Sequence, residues 1–173
     1  MAINTPAGTG TIIAEADTWI LTSSFNGNVD PISSNLSRFT TGGANYFGTG
    51  MSVSSGVWTF PSTGFWRITA KWRGKRQSGH QSTYQKIEIK STDNNFSSSD
   101  IIAVADSGYY DNYGTDNRSN SGTASMIFDC TNTSTHKIRF AFVVEDNSGN
   151  GNECIGAATV ALTSFEFIRI GDT

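Results

Sequence analysis

The sequence predicts an all-β domain, an antiparallel two-sheet sandwich or jelly roll of eight to ten strands. Three observations carry that expectation. Residues 56–72, GVWTFPSTGFWRITAKW, alternate with period two on both sides of a Pro/Gly break. Charged residues make up only 16% of the chain and aromatic residues 12%, with Gly, Ser, Thr and Asn abundant, a composition of strands and polar loops. Turn clusters recur throughout the 173 residues and no linker divides them, so one domain is expected.

The 56–72 stretch organises the rest. Trp58 and Phe60 alternate with Val57 and Thr59, and Trp66, Ile68, Ala70 and Trp72 share one face while Arg67, Thr69 and Lys71 point away. A helix would put Trp66 and Ile68 on different sides. The reading is a hairpin of two half-buried strands whose rings need a large apolar cover.

Ahead of it, residues 1–10 contain Pro6, Gly8 and Gly10 and little to bury, and read as an extended arm, with the jelly-roll domain expected over 11–173. Ile12, Ile13, Trp19, Ile20 and Leu21 mark a first strand, with an irregularity expected at Glu15–Asp17. Residues 23–34 read as a loop, punctuated by Asn26-Gly27 and Asp30-Pro31. Leu36–Phe39 reads as a short strand, and Tyr46, Phe47, Met51 and Val53 as another.

Beyond Trp72, residues 73–82 read as a polar loop. Tyr84, Ile87 and Ile89 alternate with Lys86, Glu88 and Lys90, a strand with one wet face. Strands follow at 101–105, 124–128, 136–144 and 155–170, with long polar stretches at 106–122 and 145–153. In the last strand Val160, Leu162, Ile168 and Ile170 fall on one parity and Phe165 and Phe167 on the other. An apolar strand on both faces is covered twice, by a neighbouring subunit, or is rephased by a bulge near Ser164.

The net charge of -3 and pI near 5.2 argue against a general nucleic-acid surface. The one basic cluster, Lys71, Arg73, Lys75 and Arg76, reads as a strand end and solvated loop. No apolar run approaches the roughly 18 residues that span a membrane. The first 15 residues show no secretory signal, so assembly in a cytoplasm is expected.

Catalytic patterns are absent from the sequence, and no enzyme is expected. His80 and His136 have no partner at ligand spacing, and Cys130 and Cys154 fit no zinc or redox motif and read as two reduced thiols near strand ends. Asp146–Gly151 imitates half of a calcium loop, but its twelfth position is Ala157. Asp106, Asp111, Asp116 and Asn117 read as solvated loop oxygens. No cofactor is expected. Tyr109, Tyr110 and Tyr113 form a candidate recognition group, set to stack on a sugar, pack on a subunit or fold back as a lid.

The pattern Gly56-x-Trp58-x-Phe60-Pro61-x-x-Gly64-x-Trp66-x-Ile68 resembles the C1q/TNF-like jelly-roll family, and Leu162–Ile170 looks like that family's last strand. Trp66 and Ile68 stand where the family more often has Tyr and Phe. The resemblance implies about ten strands and a compact homotrimer, with the first and last strands near the threefold axis. Trp19, Phe165 and Phe167 are then the expected trimer contacts. With no stalk or signal in sight, the chain looks like a bacteriophage structural protein.

The leading expectation is a non-enzymatic capsid decoration, or cement, protein on the outer surface of a virion, assembled in the host cytoplasm. It would clamp major capsid protein subunits, with Ile3, Asn4 and Pro6 as arm contacts. The absence of a long attachment region ahead of the jelly roll favours this over the alternative, a receptor- or glycan-binding tail-fibre tip using the tyrosine loop. Neither reading involves nucleic acid or a membrane.

Overall fold

The computed structural model describes residues 13–78, 84–108, 117–145 and 151–173. Among them are twelve strands and one turn of 3-10 helix at Thr41–Gly43. The strands are β1 (Glu15–Leu21), β2 (Ser23–Asn26), β3 (Leu36–Arg38), β4 (Ser52–Ser54), β5 (Val57–Thr59) and β6 (Gly64–Arg76). Then come β7 (Tyr84–Thr92), β8 (Asp100–Gly108), β9 (Arg118–Cys130), β10 (Lys137–Val144), β11 (Asn152–Ala157) and β12 (Ser164–Gly171). All described pairings are antiparallel, and they build two sheets.

The seven-stranded sheet is laid out around β6. Its thirteen residues alternate strictly between buried and more exposed positions, as the sequence periodicity dictates. One edge of β6 pairs along its whole length with β9, from Gly64 opposite Cys130 to Arg76 opposite Arg118. The other edge carries two strands end to end, β12 along Phe65–Lys71 and β11 along Gly74–Arg76. Beyond β12 lie β1 and β3, and beyond β11 lies β2. The five-stranded sheet runs β4-β5-β10-β7-β8.

The inner faces meet in one core. Trp66, Ile68, Ala70, Phe165, Phe167 and Leu21 come from the larger sheet, and Trp58, Ile87, Ile89, Ile138, Phe140 and Phe142 from the smaller. Trp58 is the joint. Its ring lies 5.0 Å from Phe167, 6.0 Å from Phe165 and 5.1 Å edge-on from Trp19, and it also contacts Phe140 of its own sheet. Trp72 adds a polar tie, donating from Nε1 to the Ala105 carbonyl across the sandwich at 3.1 Å.

Several expectations are corrected. The 56–72 stretch is no hairpin: β5 belongs to the five-stranded sheet and β6 to the seven-stranded one, so residues 60–63 carry the chain from one layer to the other. Gly64 closes this corner at φ +138°, where an added Cβ would lie 2.5 Å from the Gly171 carbonyl oxygen. The 155–170 strand is two strands, β11 and β12, in different parts of the sheet. Val160 and Leu162 fall in the turn between them. The register shift in β12 lies between Arg169 and Gly171, not near Ser164. β2 forms in what reads as a loop, and β6 continues through Arg76 where a loop is expected.

The first strand is regular through Asp17, a buried carboxylate on the core side. Asp17 takes a two-pronged pair from Arg38, with Nε at 2.9 Å and Nη2 at 3.0 Å, and accepts the Met51 N–H at 2.8 Å and the Trp19 indole N–H at 2.9 Å. Arg38 returns a bond to the Met51 carbonyl and lies over the Trp19 and Tyr46 rings. Gly50 sits at φ +74°, and a Cβ there would meet Asp17 Oδ2 at 2.8 Å. The loop before β4 is thus latched to β1.

Replacing Trp58 with Ala is expected to cost about 3–5 kcal/mol, read by chemical denaturation, because a joint of this size leaves a cavity between the sheets. Asp17→Asn is expected to cost about 2 kcal/mol in the same measurement, since it weakens charge-assisted bonds inside the fold.

Candidate functional site

The expected trimer contacts are spent on the monomer. Phe165 and Phe167 are fully buried, stacked against Phe140 and Trp58, so they cannot meet another subunit. Trp19 is half-buried, held edge-on to Trp58 and beneath Arg38. The physical reason is the β12 parity: Phe165 and Phe167 point inward, and Ile168 is the residue turned out. Ile3, Asn4, Pro6, Tyr109, Tyr110 and Tyr113 lie outside the described residues, as do His80, Asp111, Asp116 and Asp146.

His136 is described, with Nε2 3.1 Å from the Thr131 hydroxyl and Nδ1 3.1 Å from that of Thr135. It borders a cleft of about 370 Å³ that also contains Asp93, Asp100, Asp129 and Phe128. Among the described residues no three His, Cys, Asp or Glu side chains are placed to hold a metal. On the five-stranded sheet, Glu88 is buried between Lys86 at 2.7 Å and Lys90 at 3.2 Å, and Lys90 reaches Asp30 at 2.6 Å. The bond to Glu88 raises the Lys86 pKa above its ordinary value. These charges are satisfied by one another and secure the segment around Asp30.

The two cysteines are buried and unpaired. Cys130 sits opposite Gly64 and Cys154 opposite Gly74, so they lie about 30 Å apart along β6, far beyond disulfide reach. Burial pushes the Cys130 thiol up to about 11 and that of Cys154 up to about 12.

What remains open is the outer face of the seven-stranded sheet, where register sorts side chains into rows. Ala16, Ile168, Arg67 and Ile127 form one row, Thr18, Glu166, Thr69 and Ser125 the next, and Ile20, Ser164, Lys71 and Thr123 a third, in which Ile20 and Ser164 are buried and Lys71 and Thr123 exposed. Further along, Arg73 stands beside Ser121 and Lys75 beside Ser119. One end carries the large apolar residues: Phe65 is 39% exposed and Ile127 58%, with Ile170 at 44% near the end of β12, and Asp129 stands opposite Phe65. Arg67 lies among them and reaches Glu166 at 3.5 Å. The other end is basic and rich in hydroxyls.

The sequence signals for this face were visible but placed on the wrong element. The basic cluster reads as a loop, yet Lys71, Arg73 and Lys75 project from a continuous strand, and Arg76, of opposite parity, is fully buried. Ser119, Ser121, Thr123 and Ser125 alternate perfectly, but Ser119 and Ser121 lie within a stretch polar enough to read as a connection.

A thiol reagent at pH 8 is expected to modify neither cysteine in the native protein and both after denaturation. Because both pKa values are raised from 9.0, unfolding should become easier as pH climbs from 9.0 through about 11 and about 12, and this contribution should be constant below that window.

No family model matches the chain, and no curated protein does. Solved structures do. "Eiger TNF from S. frugiperda" superposes with a TM-score of 0.64 at 8% identity, covering 91% of this chain and 93% of that one. Murine APRIL superposes with a TM-score of 0.59 at 6% identity, covering 90% and 98%. The chain therefore has a TNF-like jelly-roll fold, two antiparallel sheets in that family's arrangement.

Proposed function

We propose that this chain is a non-enzymatic structural subunit that assembles as a homotrimer and decorates the outer surface of a bacteriophage shell, clamping neighbouring copies of the major capsid protein. The observation that carries the reading is the apolar end of the outer face. Phe65, Ile127 and Ile170 stand substantially exposed beside Ile168. An uncovered group of large apolar residues on a laddered sheet is the kind of surface that a second copy covers. Burial of one such side chain is worth about 1.5–3 kcal/mol.

A second exposed group supports a ring over a pair. Ile101, at 53%, and Val104, at 47%, lie on β8 at the edge of the other sheet. A face and an edge are different patches, and contact between different patches generates head-to-tail assemblies, which form rings where the rotation closes and filaments where it does not. The C1q/TNF-like resemblance of residues 56–68 and 162–170 implies a threefold ring. The clamp would act by mass action: a subunit that binds only the assembled lattice stabilises it by its binding free energy. Three linked contacts per trimer strengthen one another through effective concentration.

Sedimentation at micromolar concentration is expected to give three times the mass of the 18.6 kDa chain. The double variant Phe65→Asp, Ile127→Asp is expected to sediment as a folded monomer. A wild-type monomer would overturn the ring. For the shell, the trimer should appear as density over threefold lattice positions of the virion that encodes it, and density at the tail end instead would sink the decoration role.

A further inference from the structure

We propose that the basic end of the seven-stranded sheet's outer face binds an anionic polysaccharide, with Lys71 and Arg73 as its principal contacts and Lys75 extending it. The site shares a face with the proposed subunit seam but none of its residues, so it rests on that reading only for its setting.

The first support is placement. Lys71, Arg73 and Lys75 are successive outward positions on β6, the central strand of its sheet. Outward side chains on a strand repeat every ~6.7 Å. β9 pairs with β6 at all three positions, and on the other edge β12 reaches Lys71 and β11 takes Gly74–Arg76, with the Arg73 N–H held between them by the Thr163 hydroxyl at 3.2 Å, so this spacing is held in place. The second support is unspent charge. Among the described residues no carboxylate lies within ion-pairing distance of Lys71 or Arg73, whereas Arg67 has Glu166 and Lys75 has Glu153 directly opposite in register. In a chain whose net charge is -3, two exposed cations side by side without a counter-charge form a local positive field.

The third support is the neighbouring column. Thr123, Ser121 and Ser119 stand opposite Lys71, Arg73 and Lys75, one hydroxyl per cation, and Ser164 flanks Lys71 on the other side. A hydroxyl donates and accepts, which suits sugar hydroxyls, while ammonium and guanidinium groups suit carboxylates or sulfates. The fourth is shape. Two shallow hollows of about 510 Å³ and 270 Å³ share Lys71, Thr123 and Ala161; the larger runs on to Glu166 and its partner Arg67, and the smaller, with Arg73, Ser121 and Leu162 and no carboxylate, is the part that suits an anion. Single-stranded nucleic acid would want aromatic platforms for its bases. Trp72 lines this end but is 1% exposed and turned into the core.

The test is binding of dextran sulfate, polygalacturonate, neutral dextran and a single-stranded DNA oligonucleotide to the whole chain, measured by calorimetry, with sedimentation run on every variant. Dextran sulfate or polygalacturonate should bind, the stronger of the two telling sulfate from carboxylate, and neutral dextran should not. Binding should weaken by about tenfold or more between roughly 50 mM and 200 mM salt. The Lys71→Ala, Arg73→Ala double variant should lose about tenfold or more in affinity while keeping the wild-type mass, because exposed cations serve the ligand and not the fold. The Phe65→Asp, Ile127→Asp variant should keep measurable binding even as a monomer, which separates this site from the seam. Absence of polyanion binding by the wild type overturns the proposal. So does DNA binding as tight as that of the polysaccharides, or a change of oligomeric mass in the Lys71→Ala, Arg73→Ala variant, which would make the cations part of the seam.

Discussion

The contact between Trp58 and the paired phenylalanines of β12 is the constraint on which the rest of this structure depends. β5 is three residues long; on one edge only Lys137 and Ile138 of β10 pair with it, and on the other it holds the equally short β4. So short a ladder cannot fix where the strand sits. The indole does, by filling the space between Phe165, Phe167, Trp19 and Phe140. Its N–H meets no acceptor among the described residues. An unmet donor costs about 1–3 kcal/mol, which the packing of so large a ring must outweigh. Once the inner faces are committed in this way, the largest aromatic side chains are unavailable for recognition, which leaves the outer faces as the open surfaces of the two described sheets.

Half of this was legible in the sequence. Alternation tells which residues share a face, so Trp66, Ile68, Ala70 and Trp72 were identifiable as core from β6 alone. Alternation does not tell which sheet a strand joins. A turn between two layers and a turn within one leave the same local pattern, so the β5–β6 corner reads as a hairpin. Parity also fails when counted through an irregular segment. Val160 and Leu162 set the phase for what is in fact a separate strand, and the inward direction of Phe165 and Phe167 was lost with it. Asp17 breaks the pattern for a different reason. A core-facing carboxylate is tolerated only because Arg38, 21 residues away, reaches it, and that partnership has no local signature.

The same limits governed the candidate site. Lys71, Arg73 and Lys75 were visible as a cluster, but their meaning depended on β6 running to Arg76, and that depended on β9 as its partner. β9 has few apolar residues in its first half: its outer face is a column of hydroxyls, and its inner face presents Asn120, bonded to the Ser107 carbonyl, and then Gly122 and Ala124 near Trp72. Gly122 is small by necessity: a Cβ there would lie 2.6 Å from the Trp72 Nε1. A strand so built looks like a polar loop until its neighbour is known.

Charges elsewhere on the molecule sharpen the contrast with this face. Asp17 and Arg38 are bonded in two places and hold a loop. Lys86, Glu88, Lys90 and Asp30 form a chain in which every member has a partner. Such pairs offset the cost of removing ions from water and leave little free field outside. Lys71 and Arg73 have no such partner among the described residues, so their field extends into solvent, where it decays over about 8–10 Å at ordinary ionic strength. If three chains close around the apolar end of this face, three such patches stand on one assembly. A contact from one ladder is weak. Three ladders on one rigid ring would raise the effective concentration of cations for any polyanion long enough to touch more than one. Were the proposed ring to form, the segregation of the face into an apolar end and a basic end would let it close without burying the charges proposed to hold a ligand.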